Sequence, residues 1–257
     1  MHPFLVVGNL KMNLLTRAEC DKYVSLLKRE ATGLSFPNVI GIVCPPAIHL
    51  AHMTRIPEVL KLGAQNMSWE RSGAYTGEIS PVMLKDAGVE YVILGHSERR
   101  GYFGETDEMI KVKITAALKH NLIPIVCIGE TREERSQDQT TDIIERQVRM
   151  AFQGLSPMQA ESMILAYEPR WAIGTDVTPT TADIMQVRVF LRKLLTELYD
   201  ARLAEKVSMI YGGSVKSTFL ASVAWEAEMD GVLVGRESLF PHELLKMMQL
   251  FQEHANT

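Results

Sequence analysis

Several common features are scarce in this 257-residue chain, and each shortage excludes a class of protein. No apolar run approaches the roughly 20 residues that a membrane-spanning helix requires, so no membrane partner is expected. Only three cysteines occur, Cys20, Cys44 and Cys127, and they are scattered without metal-ligand spacing. That pattern argues against a disulfide framework or a metal site and for reduced thiols in a cytoplasmic setting. Neither a basic stretch nor a cleavage site precedes the first strand-like run at Phe4, so no signal peptide is expected. No proline-, glycine- or serine-rich linker interrupts the chain, which reads as one domain over residues 1–257. Positive charge is not in excess either. The net charge of −4 argues against a nucleic-acid partner while leaving room for a local cationic pocket. A Gly-x-Gly-x-x-Gly fingerprint is missing from the first strand-helix turn, which carries Lys11 instead, and this disfavours a dinucleotide-binding open sheet.

What is present is a regular alternation. Hydrophobic residues make up 46% of the chain and charged residues 23%, as in an ordinary globular protein. Short apolar runs begin at Phe4, Val39, Leu60, Tyr91, Leu122, Ser162, Val207 and Gly231. Between them lie helical patterns, among them Arg17 to about Glu30, Asp107 to His120, most of Glu130 to Phe152, and Ala182 to Ala204. The seventh and eighth strands should each lead into a helix as well. Strands alternating with helices imply a parallel sheet. Eight such units in about 250 residues match a closed, eight-stranded parallel (β/α)8 barrel of the TIM-barrel type, ringed by helices.

One stretch organises the rest. The sixth strand ends at Tyr167, and Glu168 appears there, followed by Pro169, which cannot donate to a sheet ladder. Trp171, Ala172, Ile173 and Gly174 then form a segment too apolar for an ordinary exposed loop, which suggests a lid over a site. A barrel of this kind collects its chemistry just after strand C-termini. Asn9 and Lys11 follow the first strand, His96 and Glu98 the fourth, and Glu168 the sixth. Gly212-Gly213-Ser214 and Gly235 follow the seventh and eighth. Taken singly, these are a solvated lysine, a packed histidine and tight turns. Together they fall on one rim.

Five of these stretches carry a resemblance. Asn9-Leu10-Lys11-Met12-Asn13, Gly95 to Arg100, Cys127-Ile128-Gly129-Glu130, the segment around Glu168, and Tyr211 to Val215 are similar to the triosephosphate isomerase family, in order along nearly the whole chain. The resemblance implies a phosphosugar substrate, no cofactor and no metal. It implies Glu168 as the base that moves a proton between adjacent carbons, with His96, Lys11 and Asn9 holding the enediolate oxygen. Glu168 becomes a better base when an apolar lid displaces its water, and His96, just before a helix start, is favoured as a neutral donor; this pair is a known worked case of environment-tuned catalysis. Glu98 is implied as an anchor for Lys11, with Cys127 and Tyr211 behind the reacting groups. The implied phosphate donors are Gly174, Ser214, Gly235 and the residue after it, Arg236, since backbone amides and helix N-termini suit a dianion. Pro169, Trp171, Ile173, Thr175 and Asp176 would belong to the lid.

The chain departs from the family pattern at four places. Arg236 replaces a second glycine, Arg170 a small apolar residue, and Asp176 the lid's last glycine. Pro179 stands where the hinge would offer an N–H to Tyr211, and proline has none. Arg170 and Arg236 also motivate an alternative, an isomerase for a longer phosphosugar such as a tetrulose phosphate; a non-catalytic phosphate-binding paralogue is another. The loop from Asn66 to Glu78 holds Met67, Trp69 and Tyr75, read as exposed apolar residues at an interface. By resemblance it docks into a second subunit of a homodimer, with Asn66, Thr76 and Glu78 at the contact.

Overall fold

A computed structural model describes residues 2–172 and 179–256. Eight strands, β1 (Phe4–Asn9), β2 (Val39–Cys44), β3 (Leu60–Ala64), β4 (Tyr91–Leu94), β5 (Ile123–Ile128), β6 (Ile164–Tyr167), β7 (Ser208–Tyr211) and β8 (Gly231–Val234), pair in sequence order. All the pairings are parallel, and β1 meets β8 with Leu5 opposite Gly231, so the sheet closes into a barrel. Each strand reads as a nearly continuous apolar run because both faces are covered. Alternate residues point inward, and Leu5, Val7, Ile42, Ile93, Ile125, Cys127, Ala166 and Ile210 share the barrel interior. Their neighbours Val6, Val43, Val92, Val126, Leu165 and Val232 join the outer layer, packed with the helices.

The helices are α1 (Arg17–Glu30), α2 (Leu50–Met53), α3 (Pro81–Asp86), α4 (Ser97–Tyr102), α5 (Asp107–Lys119) and α6 (Arg132–Ser136). They continue as α7 (Thr140–Phe152), α8 (Pro157–Glu161), α9 (Thr181–Leu198), α10 (Ala201–Lys206) and α11 (Pro241–Ala255). Thr16, Ser80, Thr106, Thr131, Ser156, Thr180 and Asp200 each cap a helix by accepting a backbone N–H from its first turn. No helix among the described residues is long and apolar enough to cross a membrane.

Two expected helices are broken. The Ala182–Ala204 pattern splits because Asp200, which accepts from the Leu203 amide at 2.8 Å, starts a new helix there. The Glu130–Phe152 pattern divides at Asp138, whose φ of 56° no helix tolerates. After β7 there is no α-helix before β8. A 3-10 turn, Ser217–Phe219, and a π turn, Ala221–Trp225, fill that connection instead.

Candidate active site

The first corner of the site is a strained turn held in place by side chains. Asn9, the last residue of β1, is buried, and its Oδ1 accepts the Lys11 amide at 3.0 Å. The turn puts Lys11 at φ 51°, a region that side-chain-bearing residues rarely occupy. Gln65 secures it from the end of β3, donating through Nε2 to the carbonyls of Lys11 and Cys44, both at 2.9 Å. Lys11 Nζ then reaches Glu98 Oε1 at 2.6 Å. Both side chains are about a third exposed, so the pair serves position more than stability. Gly235 packs beside the same lysine, with room for a Cβ only 3.4 Å from Lys11 Cε.

The second corner joins a histidine to a carboxylate. His96 is the N-cap of α4, and its Nδ1 accepts the Glu98 amide at 3.3 Å. An accepting Nδ1 assigns the ring proton of the neutral imidazole to Nε2. Nε2 lies 3.2 Å from Glu168 Oε1, and Glu168 Oε2 accepts the Ser97 amide at 3.0 Å. Glu168 is 2% exposed and closely walled. A Cβ on Gly212 would stand 2.7 Å from Glu168 Cγ, and one on Gly129, at φ +153°, would fall 2.0 Å from the Glu168 carbonyl oxygen. Cys127 projects from β5 into the barrel interior behind this carboxylate. Burial, and then the neighbouring Glu168, push its thiol well above the usual range, so it stays protonated.

Beyond Glu168 the chain is tethered to Glu130, just after β5. The Arg170 amide donates to the Glu130 carbonyl at 3.0 Å, and the Ala172 amide to the Pro169 carbonyl at 2.8 Å. Trp171 Nε1 donates to Glu130 Oε1 at 2.8 Å, and Tyr167 Oη to the same oxygen at 3.3 Å. Glu130, fully buried, thus has a part that motif reading did not assign, although it closes the Cys127–Glu130 motif. Ser97 was missed for another reason: it acts through its amide, which every residue but proline has. Ile173, Gly174, Thr175 and Asp176 lie outside the described residues. Ser214 is half-buried after β7, and exposed Arg236 opens the 3-10 turn Arg236–Leu239 after β8. Tyr211 is buried with its Oη lacking any hydrogen-bond partner among the described residues, and Pro179 is buried as well.

The interface candidates lie on the connection between β3 and α3. Asn66 Oδ1 accepts Lys113 Nζ at 2.8 Å, and Lys113 pairs with Glu105 at 2.5 Å. Thr76 and Glu78 are exposed, as is every residue from 71 to 78. Trp69 and Tyr75 are exposed too, but Met67 is not. At 1% exposure it belongs to the outer core, because it lies only three residues past the β3 end and turns inward before the exposed part of the loop departs.

The sequence pattern of the triosephosphate isomerase family matches residues 4–251. The chain is 46% identical to the triosephosphate isomerase of Alkaliphilus oremlandii over 243 residues, 94% of this chain and 96% of the relative. It is 46% identical to that of Caldanaerobacter subterraneus subsp. tengcongensis, over 95% of this chain and 98% of the relative. Identity to the Dictyoglomus turgidum triosephosphate isomerase is 42%, over 92% and 95% of the two chains. With the closed barrel and these matches along nearly its whole length, the chain belongs to the triosephosphate isomerase family.

Proposed function

We propose that the chain interconverts dihydroxyacetone phosphate and D-glyceraldehyde 3-phosphate through an enediolate, with Glu168 as the base. The observation that carries this reading is the 3.2 Å contact between His96 Nε2 and Glu168 Oε1, beside the Lys11–Glu98 pair. Substrate entering between ring and carboxylate would take over the Nε2 proton as a hydrogen bond to its carbonyl oxygen. Glu168, released from His96 and the Ser97 amide, then removes a proton from the hydroxyl-bearing carbon and returns it to the neighbouring carbon, while His96 Nε2 gives its proton to the former carbonyl oxygen and is reprotonated by the former hydroxyl. Charge that develops on the oxygens is met by His96, Lys11 and Asn9. Atoms and electrons balance within the substrate, so the reaction needs no cofactor.

The phosphate is assigned to backbone donors at Gly174, Ser214, Gly235 and Arg236, where a dianion suits exposed turn amides. Pro169, Trp171, Ile173, Thr175 and Asp176 are assigned to a lid that keeps water from the enediolate. The protein is read as one domain over residues 1–257, cytoplasmic, and a homodimer. Its three buried free cysteines fit a reducing compartment. The dimer is supported by Met12, Leu15, Ile48, Tyr75, Met83, Tyr102 and Phe103, exposed apolar residues in the connections after β1 to β4, four adjacent sectors of the barrel.

Replacing the base tests the assignment directly. Glu168→Gln keeps shape and removes basicity, so kcat should fall at least ~10²-fold while substrate still binds. Coupled assays in both directions, with a four-carbon phosphoketose alongside, would measure it. Activity within a few-fold of wild type would reject Glu168 as base.

A further inference from the structure

Two chain segments flank residues 173–178, and one guanidinium reaches both. Helix α6 starts from a capping box in which Thr131 and Glu134 exchange hydrogen bonds, fixing the direction of this five-residue helix. Its Arg135 sits over the ring of Trp171, with Cζ 4.4 Å from the ring centroid. Nη2 donates to Asp183 Oδ1 at 2.9 Å, and Nη1 stands 3.5 Å from Glu130 Oε1. The other Asp183 oxygen accepts both the amide and the hydroxyl of Thr180, at 2.9 and 2.7 Å, and so closes the cap of α9. Trp171 is therefore gripped at its edge by Glu130 and on its face by Arg135, and Arg135 ties that face to the first turn of α9. Two open pockets, of about 360 and 480 Å³, are both lined by Arg135, the first with Ile144 and Val187, the second with Arg132 and Ser136.

We propose that Arg135 is a positioning residue for the isomerisation: holding Trp171 to the first turn of α9, it fixes how the chain leaves Glu168 and so where the carboxylate stands. Trp171 follows Glu168 by three residues, with Pro169 stiffening the link. The role rests on Glu168 being the base. It also requires the planar fork of arginine, since lysine offers Asp183 a charge but no flat face for Trp171.

Fluorine NMR on protein labelled with 5-fluorotryptophan reads the tryptophans separately, with Trp171 assigned from a Trp171→Phe variant and Trp69 and Trp225 as internal controls. Arg135→Ala should displace the Trp171 resonance alone and lower kcat/KM about tenfold or more, the loss falling on kcat. Arg135→Lys should recover only part of both effects. A kcat/KM within about twofold of wild type for Arg135→Ala overturns the role. So does an unmoved Trp171 resonance, or equal displacement of all three, which marks general loosening. Glu168→Gln, run in parallel, separates the two readings. If it stays active, the base assignment fails and this role with it; if it is inactive while Arg135→Ala is not, only the positioning role fails.

Discussion

Tyr211→Phe removes one oxygen from a side chain that is fully buried and whose hydroxyl has no hydrogen-bond partner among the described residues. Pro179 bears on the same point, because a proline cannot offer that oxygen an N–H. The missing N–H alone sets the cost of the change at about 1 kcal/mol or less, the scale of one net hydrogen bond. The orphaned hydroxyl moves the expected sign. A buried polar group left unpaired costs ~1–3 kcal/mol, and deleting it recovers part of that. Against the gain stands a void of about one oxygen, ~10 Å³, worth only ~0.2 kcal/mol at the usual cavity cost. Tyr211→Phe should therefore be neutral or stabilise the protein by up to ~1 kcal/mol, a rise in Tm of about 2–4 °C for a chain of this size. Turnover should stay within about twofold, since no hydrogen bond among the described residues is lost. Urea denaturation and thermal melts at one fixed protein concentration, beside a coupled assay, read both quantities. A destabilisation beyond ~1 kcal/mol, or a tenfold fall in kcat/KM, would mean that the hydroxyl has a working partner and that the reasoning is wrong.

Three other changes probe different parts of the molecule. Gly212→Ala would set a methyl 2.7 Å from Glu168 Cγ, so kcat should drop at least ~10-fold, with an overpacking cost of about 1–3 kcal/mol in stability; equal activity would show that Glu168 works from elsewhere. Gly77→Asp with Tyr75→Glu, both exposed in the single chain, should convert a sedimenting dimer to monomer and lower activity with it, and a fully active wild-type monomer would refute the interface. Burial alone would raise the Asp183 carboxyl, but the Thr180 hydroxyl and amide, with Arg135, hold it below its ordinary value. A depressed carboxyl contributes stability above its unfolded pKa of about 4 and loses it as pH falls further, so the Tm penalty of Asp183→Asn should be full at neutral pH and shrink below about pH 4. A penalty that is the same at pH 7 and pH 3 would show that charge is not its source.

Much of the architecture was legible because period and punctuation carry it. A doubly covered strand must be apolar on both faces, so β1, β2 and β4 stood out as short runs, and Pro169 could only end β6. Break points were less visible. Asp200 resembles any surface aspartate until its carboxylate is seen to cap α10, and the α6–α7 break depends on the backbone at Asp138. Met67 was misread because its inward turn depends on the layer beneath it, not on its neighbours in the chain.

The sequence by itself determined the barrel and the rim, because strand ends can be counted along the chain and Asn9, Lys11, His96, Glu98 and Glu168 each end or follow one. Only the tertiary structure decided how those groups meet. The 3.2 Å approach of His96 to Glu168 spans 72 positions, the Ser97 amide has no side-chain signature, and Arg135 reaches Trp171 and Asp183 only once β5, β6 and α9 are packed side by side. Periodicity records which face a residue occupies. Distance between two faces is set by closure of the whole sheet, and no local pattern encodes that.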